Sequence, residues 1–349
     1  MLNGLYIILS LLVLCVIIIV HEFGHYLVGR LCGIGILEFS VGFGPKLFGW
    51  TRKGIDYSVR ALPLGGYCKF LGEDSENSAP NAMNNASVWK RIATVAAGPA
   101  MNFVLAYISA VVMLCLFAFG TTTAMISEVY DNTPAAEAGL MAGDVIVAAN
   151  GTEISNDNTG VSEVRQLITS ADGAVTLTVD RGGEEISFDL TPALVTDETT
   201  GETKKQIGIV FDTQWETYSF LEAIPGAGRY MIEYTKELLD FLRKLIFKFE
   251  GAENVSGVVG TVAVMSDTMK SDPLLVWEIL FLISLNLGIM NLLPIPGLDG
   301  GRLVFLIIEA VRGKPVPPDK EGLVHFIGLA LLMLLAVVLV WHDIVTYIF

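Results

Sequence analysis

Charge is what this 349-residue chain has little of: 17% of its residues are Asp, Glu, Lys or Arg, against about 25% in ordinary soluble domains. With 52% hydrophobic residues and a mean hydropathy of +0.58, that scarcity argues against a purely soluble enzyme. Basic residues are scarcer still. The 22 Lys and Arg face 37 Asp and Glu, a net charge of −15, the wrong sign for phosphate, so no nucleic-acid partner is expected. Only four cysteines are present, Cys15, Cys32, Cys68 and Cys115. Two lie in apolar runs and two in the segment between them, a spacing that gives neither a disulfide framework nor a zinc knuckle. They read as small apolar fillers. Internal repeats and low-complexity tracts are also lacking.

What charge there is sits unevenly. Thr121 to Leu275 holds 25 acidic and 10 basic residues, whereas the remainder holds 12 of each. The whole acidic excess is therefore one central block flanked by apolar sequence, the pattern of a hydrophilic domain inserted between membrane spans. Leu2 to Val20 carries no charge and is long enough to cross a bilayer. No Lys or Arg precedes it, and it exceeds the h-region of roughly 7–15 residues found in a cleaved signal peptide. A second span is expected over Ile92 to Gly120, interrupted by Gly98, Pro99 and Asn102. A third covers Leu274 to Val311, broken by Pro294, Pro296 and Gly300-Gly301, and a fourth covers Gly322 to Val340. Arg30, Lys46, Arg52, Lys53, Arg60, Lys69, Lys90 and Arg91 follow the first span, and Arg312, Lys314 and Lys320 follow the third. The positive-inside rule puts both segments in the cytosol and the acidic block outside.

Between the first two spans, Ile36 to Phe70 alternates short apolar stretches with Gly42, Gly44, Pro45, Gly54, Gly65 and Gly66. This predicts one or two β-hairpins, either dipping into the membrane against protein or a wet cavity, or lying plainly on the surface.

The first span ends in His21-Glu22-Phe23-Gly24-His25. On a helix, residues i and i+4 share a face. Both imidazoles can then bind one zinc ion, with Glu22 beside it as a base for the bound water. With four His and 21 Glu in the chain, such a motif is expected by chance about 0.003 times. Ionisable residues at the end of a membrane helix add weight, since they are costly there and mostly functional. Two interfacial histidines capping a span are the plain alternative. A catalytic zinc needs a third protein ligand and an open position. Asp299 is the first candidate, a lone carboxylate in an apolar stretch where Pro294, Pro296 and the glycines break the helix and open room for substrate. His325, at the start of the fourth span on the same side, is the second, although an interfacial histidine explains it more simply.

The motif His21 to His25, together with Asn291, Pro294, Pro296, Leu298, Asp299 and Gly300, resembles the site-2 protease family of intramembrane zinc proteases, and most closely its bacterial RseP-type members. Gly42-Phe43-Gly44-Pro45 and Gly98-Pro99-Ala100-Met101-Asn102-Phe103 extend the resemblance over nearly the whole chain, in the right order. It implies one zinc per chain held by His21, His25 and Asp299, with Glu22 as the catalytic base. It also implies that Asn291 pairs with unwound substrate backbone. The hairpin region around Gly42 and Gly44, with Pro294 and Pro296, completes the expected substrate-binding set. The family usually has proline where this chain has Val258, a departure that touches no catalytic residue. Thr133 to Gly151 likewise resembles the signature of bacterial PDZ domains, with a strand at Val145–Ala149, a turn at Asn150-Gly151, a helix at Val161–Ser170 and strands near 175–179 and 186–190. Such a domain accepts a peptide by strand addition, or serves as a steric plug. Beyond it, Tyr218 to Lys248 has apolar residues near helical spacing, suited to rest on a membrane surface or to pack against the PDZ unit.

The expected fold is thus a multi-pass α-helical membrane protein with about four transmembrane helices, a membrane-associated β-hairpin region and an inserted α+β PDZ domain. The expected divisions are 1–120 (first membrane part), 121–195 (PDZ), 196–273 (linker with amphipathic helix) and 274–349 (second membrane part). The expected activity is zinc-dependent intramembrane endoproteolysis of single-span membrane proteins, such as anti-sigma factors or signal-peptide remnants. The expected place is the bacterial inner membrane, in contact with lipid, with the PDZ domain extracytoplasmic and the active site near the cytosol. A catalytically dead membrane adaptor and a metal transporter or sensor are the competing classes. Intact Glu22 argues against the first, and the absence of a chain of ionisable residues through the spans against the second.

Overall fold

The computed structural model describes residues 4–73, 77–117, 119–196, 203–248, 250–251 and 255–347. The first apolar run and the His21–His25 motif share one unbroken helix, α1 (Gly4–Leu31). Two of its glycines allow close packing. A Cβ on Gly24 would stand 2.7 Å from the Ala97 carbonyl carbon, and one on Gly29 would stand 2.9 Å from Phe70 Cζ and nearer still to Cε1.

Strands β1 (Ile36–Arg52) and β2 (Ile55–Phe70) follow, joined at Lys53-Gly54, where both residues have positive φ. The pairing is richer than a single hairpin. Trp50 to Arg52 pairs with Ile55 to Tyr57 around the turn, whereas Phe39 pairs with Tyr57 on one side and with Cys68 on the other. The segment Glu38–Val41 is therefore sandwiched between two stretches of β2, which makes Gly66–Phe70 an outer strand.

The second span is α2 (Val88–Leu116), and it runs straight through Gly98 and Pro99. The expected interruption does not occur. Pro99 withholds one backbone N–H, but α2 is held by close approach to Gly24 and to Gly288, whose added Cβ would lie 3.3 Å from the Pro99 carbonyl oxygen.

Leu114–Ser219 forms a compact unit of its own. It contains β3 (Phe119–Val129), α3 (Pro134–Ala138), β4 (Val145–Ala149), β5 (Thr152–Glu153), α4 (Asn158–Ser170), β6 (Val175–Arg181), β7 (Glu184–Leu190), β8 (Ala193–Thr196), β9 (Thr203–Gln206) and β10 (Ile209–Glu216). The main sheet runs β10-β3-β4-β6-β7, with β5 on β4, and β8-β9 pair separately. Asn150 and Gly151 both take positive φ, as a two-residue hairpin turn requires. Asp157 caps α4 by accepting from the Thr159 and Gly160 amides. Fully buried Ile126, Ile146, Val164 and Leu177 form its core. The expected limit of 195 falls short, because β10 lies beyond it and pairs back from Phe119↔Glu216 to Ile209↔Val129.

The rest of the chain belongs to the unit that contains α1. The amphipathic stretch is α5 (Phe220–Lys248), which buries Ala223 and Ala227 and lays Tyr230 and Tyr234 on Phe281. Next comes α6 (Val258–Ser271), a helix within the expected linker. Val258 is its first residue, a position that accepts proline equally well. The third apolar region is not one span. It divides into α7 (Val276–Leu292) and α8 (Asp299–Arg312), because Pro294 and Pro296 turn their preceding residues away from helical backbone. Helix α9 (Pro318–Tyr347) closes the fold, and its buried Asp343 accepts from the Gly257 and Gly260 amides at the start of α6. Among the described residues, four helices are long and apolar enough to cross a membrane: Gly4–Leu31, Val88–Leu116, Pro273–Leu292 and Asp319–Thr346.

Candidate metal and catalytic site

Helix α1 sets His21 and His25 one turn apart, both buried, with their Nε2 atoms 3.2 Å from each other. The loop after α7 brings Asp299, first residue of α8, against them. Its Oδ2 lies 3.1 Å from His21 Nε2 and 3.4 Å from His25 Nε2. Among the described residues these three form the single His/Cys/Asp/Glu group whose ligand atoms converge, all within 4.8 Å of one another. His325 is not part of it.

The donor set suits a metal ion. His25 Nδ1 faces the Thr94 carbonyl oxygen at 2.9 Å. A carbonyl only accepts, so Nδ1 carries the proton and the neutral ring turns a bare Nε2 lone pair inward. Asp299 Oδ2 is buried and makes no hydrogen bond of good geometry. Three ligands bonded at 2.0–2.1 Å to one tetrahedral centre are about 3.3 Å apart, close to the three separations here. Space is kept free by Gly98 of α2, where an added Cβ would come within 2.8 Å of His21 Nε2 and nearer still to His25. Asn102, fully buried one turn further along α2, has its amide nitrogen 3.1 Å from His21 Nδ1 and its Oδ1 without a partner. Amide orientation is a matter of assignment. Turned over, Asn102 presents Oδ1 to a protonated Nδ1, leaving His21 Nε2 bare as well.

A cavity of about 350 Å³ opens on this group, lined by Glu22, Tyr67, Cys68, Asn291, Arg302 and others. Gly66 lies beside Glu22, since its added Cβ would meet Glu22 Cγ at 3.3 Å. The end of β2 is fastened to α8 by an ion pair between Glu73 and Arg302, and Glu73 also accepts from the Phe70 amide at 3.0 Å. A second ion pair, Arg91 with Glu309, ties α2 to α8.

Of the residues singled out in the sequence, His21, Glu22, His25, Asn291 and Asp299 line the cavity. Gly42, Gly44, Pro294 and Pro296 do not. Gly42 and Gly44 sit in β1 with φ of 87° and 85°, where Gly42 packs on the Leu62 carbonyl, and β2 rather than β1 presents Tyr67, Cys68 and Phe70 to the cavity. The sequence reasoning missed Thr94, Tyr67, Glu73 and Arg302, and assigned Asn102 no role. Only Asn102 carried a signal, as a lone amide in an apolar helix.

A buried His-His-Asp group with a carboxylate alongside, set among membrane-length helices, defines a membrane zinc metalloprotease. The family follows from comparison: the sequence profile of peptidase family M50 matches residues 9–335, and the chain belongs to that family. The chain is 31% identical to the regulator of sigma-W protease RasP of Bacillus subtilis over 405 residues, covering 93% of this chain and 94% of RasP. It is 33% identical to the metalloprotease MmpA of Caulobacter vibrioides over 392 residues, covering 99% and 97%. Among solved structures, the PDZ domain of an SdrC-like protein from Listeria innocua aligns with 28% of this chain and 99% of its own length, at 21% identity and a TM-score of 0.21. The protein is a zinc metalloprotease, with Zn²⁺ as its cofactor.

Proposed function

We propose that this protease hydrolyses peptide bonds within transmembrane segments of single-span membrane proteins, with His21, His25 and Asp299 as zinc ligands and Glu22 as the base. The observation that carries the assignment is the meeting of three ligand atoms within 4.8 Å, contributed by a helix and a loop more than 270 residues apart. Zinc, when bound, supplies the acidity that makes water a nucleophile near neutral pH and the charge that steadies an oxyanion. Glu22 accepts one proton from the attacking water and returns it to the leaving amide nitrogen as the C–N bond breaks, giving a carboxylic acid and an amine. Thr94 and Asn102 hold the far sides of the two imidazoles in the required tautomer.

A helical substrate has its carbonyls bonded within the helix, so it must unwind before attack. The outer strand Gly66–Phe70, whose Gly66 lies beside Glu22, offers a partner for extended backbone, with Asn291 also lining the cavity. The basic segments after the first and third spans favour a cytosolic active-site end in the bacterial inner membrane, with the unit from Leu114 to Ser219 outside. That unit carries the PDZ signature and acts as a filter, admitting substrates whose outer portion has been trimmed. Anti-sigma factors and signal-peptide remnants are the substrate classes.

Purified Glu22→Gln protein tests the chemistry. It should keep about one zinc per chain and lose cleavage, while Asp299→Ala should lose the zinc itself. Cleavage by Glu22→Gln at the wild-type rate would end the assignment.

A further inference from the structure

The loop that delivers Asp299 contains two residues without an N–H, Pro294 and Pro296, so few backbone donors are left to fix its shape. Three of them bond locally, Leu293 N–H to the Met290 carbonyl at 3.2 Å, Ile295 N–H to the Leu293 carbonyl at 2.7 Å and Leu298 N–H to the Ile295 carbonyl at 3.1 Å. The remaining one, on Gly297, leaves the loop: it donates to Nδ1 of His325, in the first turns of α9, at 3.0 Å. Gly297 has φ of +97°, a backbone conformation that side chains resist. Helix α9 reaches the loop because Gly328, one turn beyond His325, has no side chain. A Cβ there would stand 2.5 Å from the Pro296 carbonyl carbon. The His325 ring also rests on Phe305 of α8, with centroids 5.4 Å apart.

A backbone N–H only donates. Nδ1 of His325 is therefore the bare nitrogen, and the ring is the neutral Nε2–H tautomer. We propose that His325 is a positioning residue of this protease: by accepting the Gly297 N–H it fixes the turn that presents Asp299 to His21 and His25. Its part lies in the geometry of a ligand-bearing loop rather than in metal binding, and it rests on the reading of Asp299 as a zinc ligand.

The test uses the full chain in detergent and three variants. His325→Phe keeps a ring against Phe305 but has no acceptor. His325→Asn keeps an acceptor, Oδ1, near the place of Nδ1. Asp299→Ala reports on the ligand assignment itself. Zinc affinity is measured by competition with a chromophoric chelator, alongside kcat and KM on a membrane-peptide substrate. His325→Phe should weaken zinc binding by roughly tenfold, the low end for residues that orient metal ligands, and lower kcat with KM changed less than about twofold. His325→Asn should recover most of both losses. A His325→Phe protein within twofold of wild type in zinc affinity overturns the proposal, and so does an Asn variant as impaired as Phe, which would mean that the ring only packs. If Asp299→Ala binds zinc as wild type does, the ligand assignment falls, and this inference with it.

Discussion

Replacing Gly98 with alanine should remove zinc without unfolding the protein. The new Cβ would lie 2.8 Å from His21 Nε2 and 2.5 Å from His25 Cε1, whereas unstrained carbon contacts begin near 3.5 Å. The overlap is about 0.7 Å on the His21 ring and more than about 1 Å on the His25 ring, whose Nε2 is nearer still. Helix α2 itself favours the substitution, since alanine in a helix interior is better than glycine by about 1 kcal/mol. The strain therefore falls on the imidazoles, and a ring pushed aside by about 1 Å can no longer bond at 2.0–2.1 Å. Losing one of three protein ligands should weaken zinc binding at least about 100-fold, or about 2.7 kcal/mol. Chelator competition measures the affinity, and far-ultraviolet circular dichroism checks that the helices persist. Gly228→Ala, on α5 with nothing within 4 Å of its added Cβ, is the control and should match wild type. If Gly98→Ala binds zinc within threefold of wild type and cleaves at full rate, the site described here is not where the metal sits.

In the unit from Leu114 to Ser219, Arg181 binds both carboxylate oxygens of the buried Asp144 and the Gly139 carbonyl. Arg181→Ala should destabilise that unit, because it leaves the buried Asp144 carboxylate without its charged partner, an effect moderated by the solvent exposure of Arg181, and denaturant melts of the purified protein would read it. Burial pushes the Asp144 carboxyl up, but its bonds from Arg181 and the Met141 amide prevail and hold it below the ordinary carboxylate range. The ionised form thus stabilises the unit at neutral pH, and that contribution should fade as pH falls below about 4. A melt unchanged between pH 5 and 3 would count against it. Asn291→Ala should slow cleavage while zinc content stays near one per chain, and unchanged cleavage would remove Asn291 from substrate binding. Because Phe119 and Glu216 are paired neighbours, a short flexible linker can replace everything between them. The shortened protease should cut substrate whose outer portion is intact, and continued rejection would refute the filter.

Much of the site was legible in the sequence because its chemistry is local. His21, Glu22 and His25 lie within one helical turn, and an i, i+4 pair shares a face whatever surrounds the helix. The lone carboxylate at Asp299 stood out against apolar neighbours for a similar reason, that burying a charge is costly without a purpose. His325 was harder. As a histidine at the right depth it competed with Asp299 for the same role, and only the Gly297 contact separates a ligand from a support. The outer strand Gly66–Phe70 was harder still, since the glycines of β1 and β2 look alike in sequence and the double pairing of Glu38–Val41 decides which strand faces the cavity.

The sequence by itself determined the apolar runs, the acidic insertion and the residue types able to hold a metal, since composition and short-range periodicity act along the chain. Tertiary structure alone decided that α2 runs on through Pro99, that the third apolar region divides at Leu293–Leu298, and that Asp299 rather than His325 meets the two imidazoles. Those outcomes depend on which backbones approach one another, at Gly24, Gly98, Gly288 and Gly328. A glycine records that a close approach is possible there, but not what makes it.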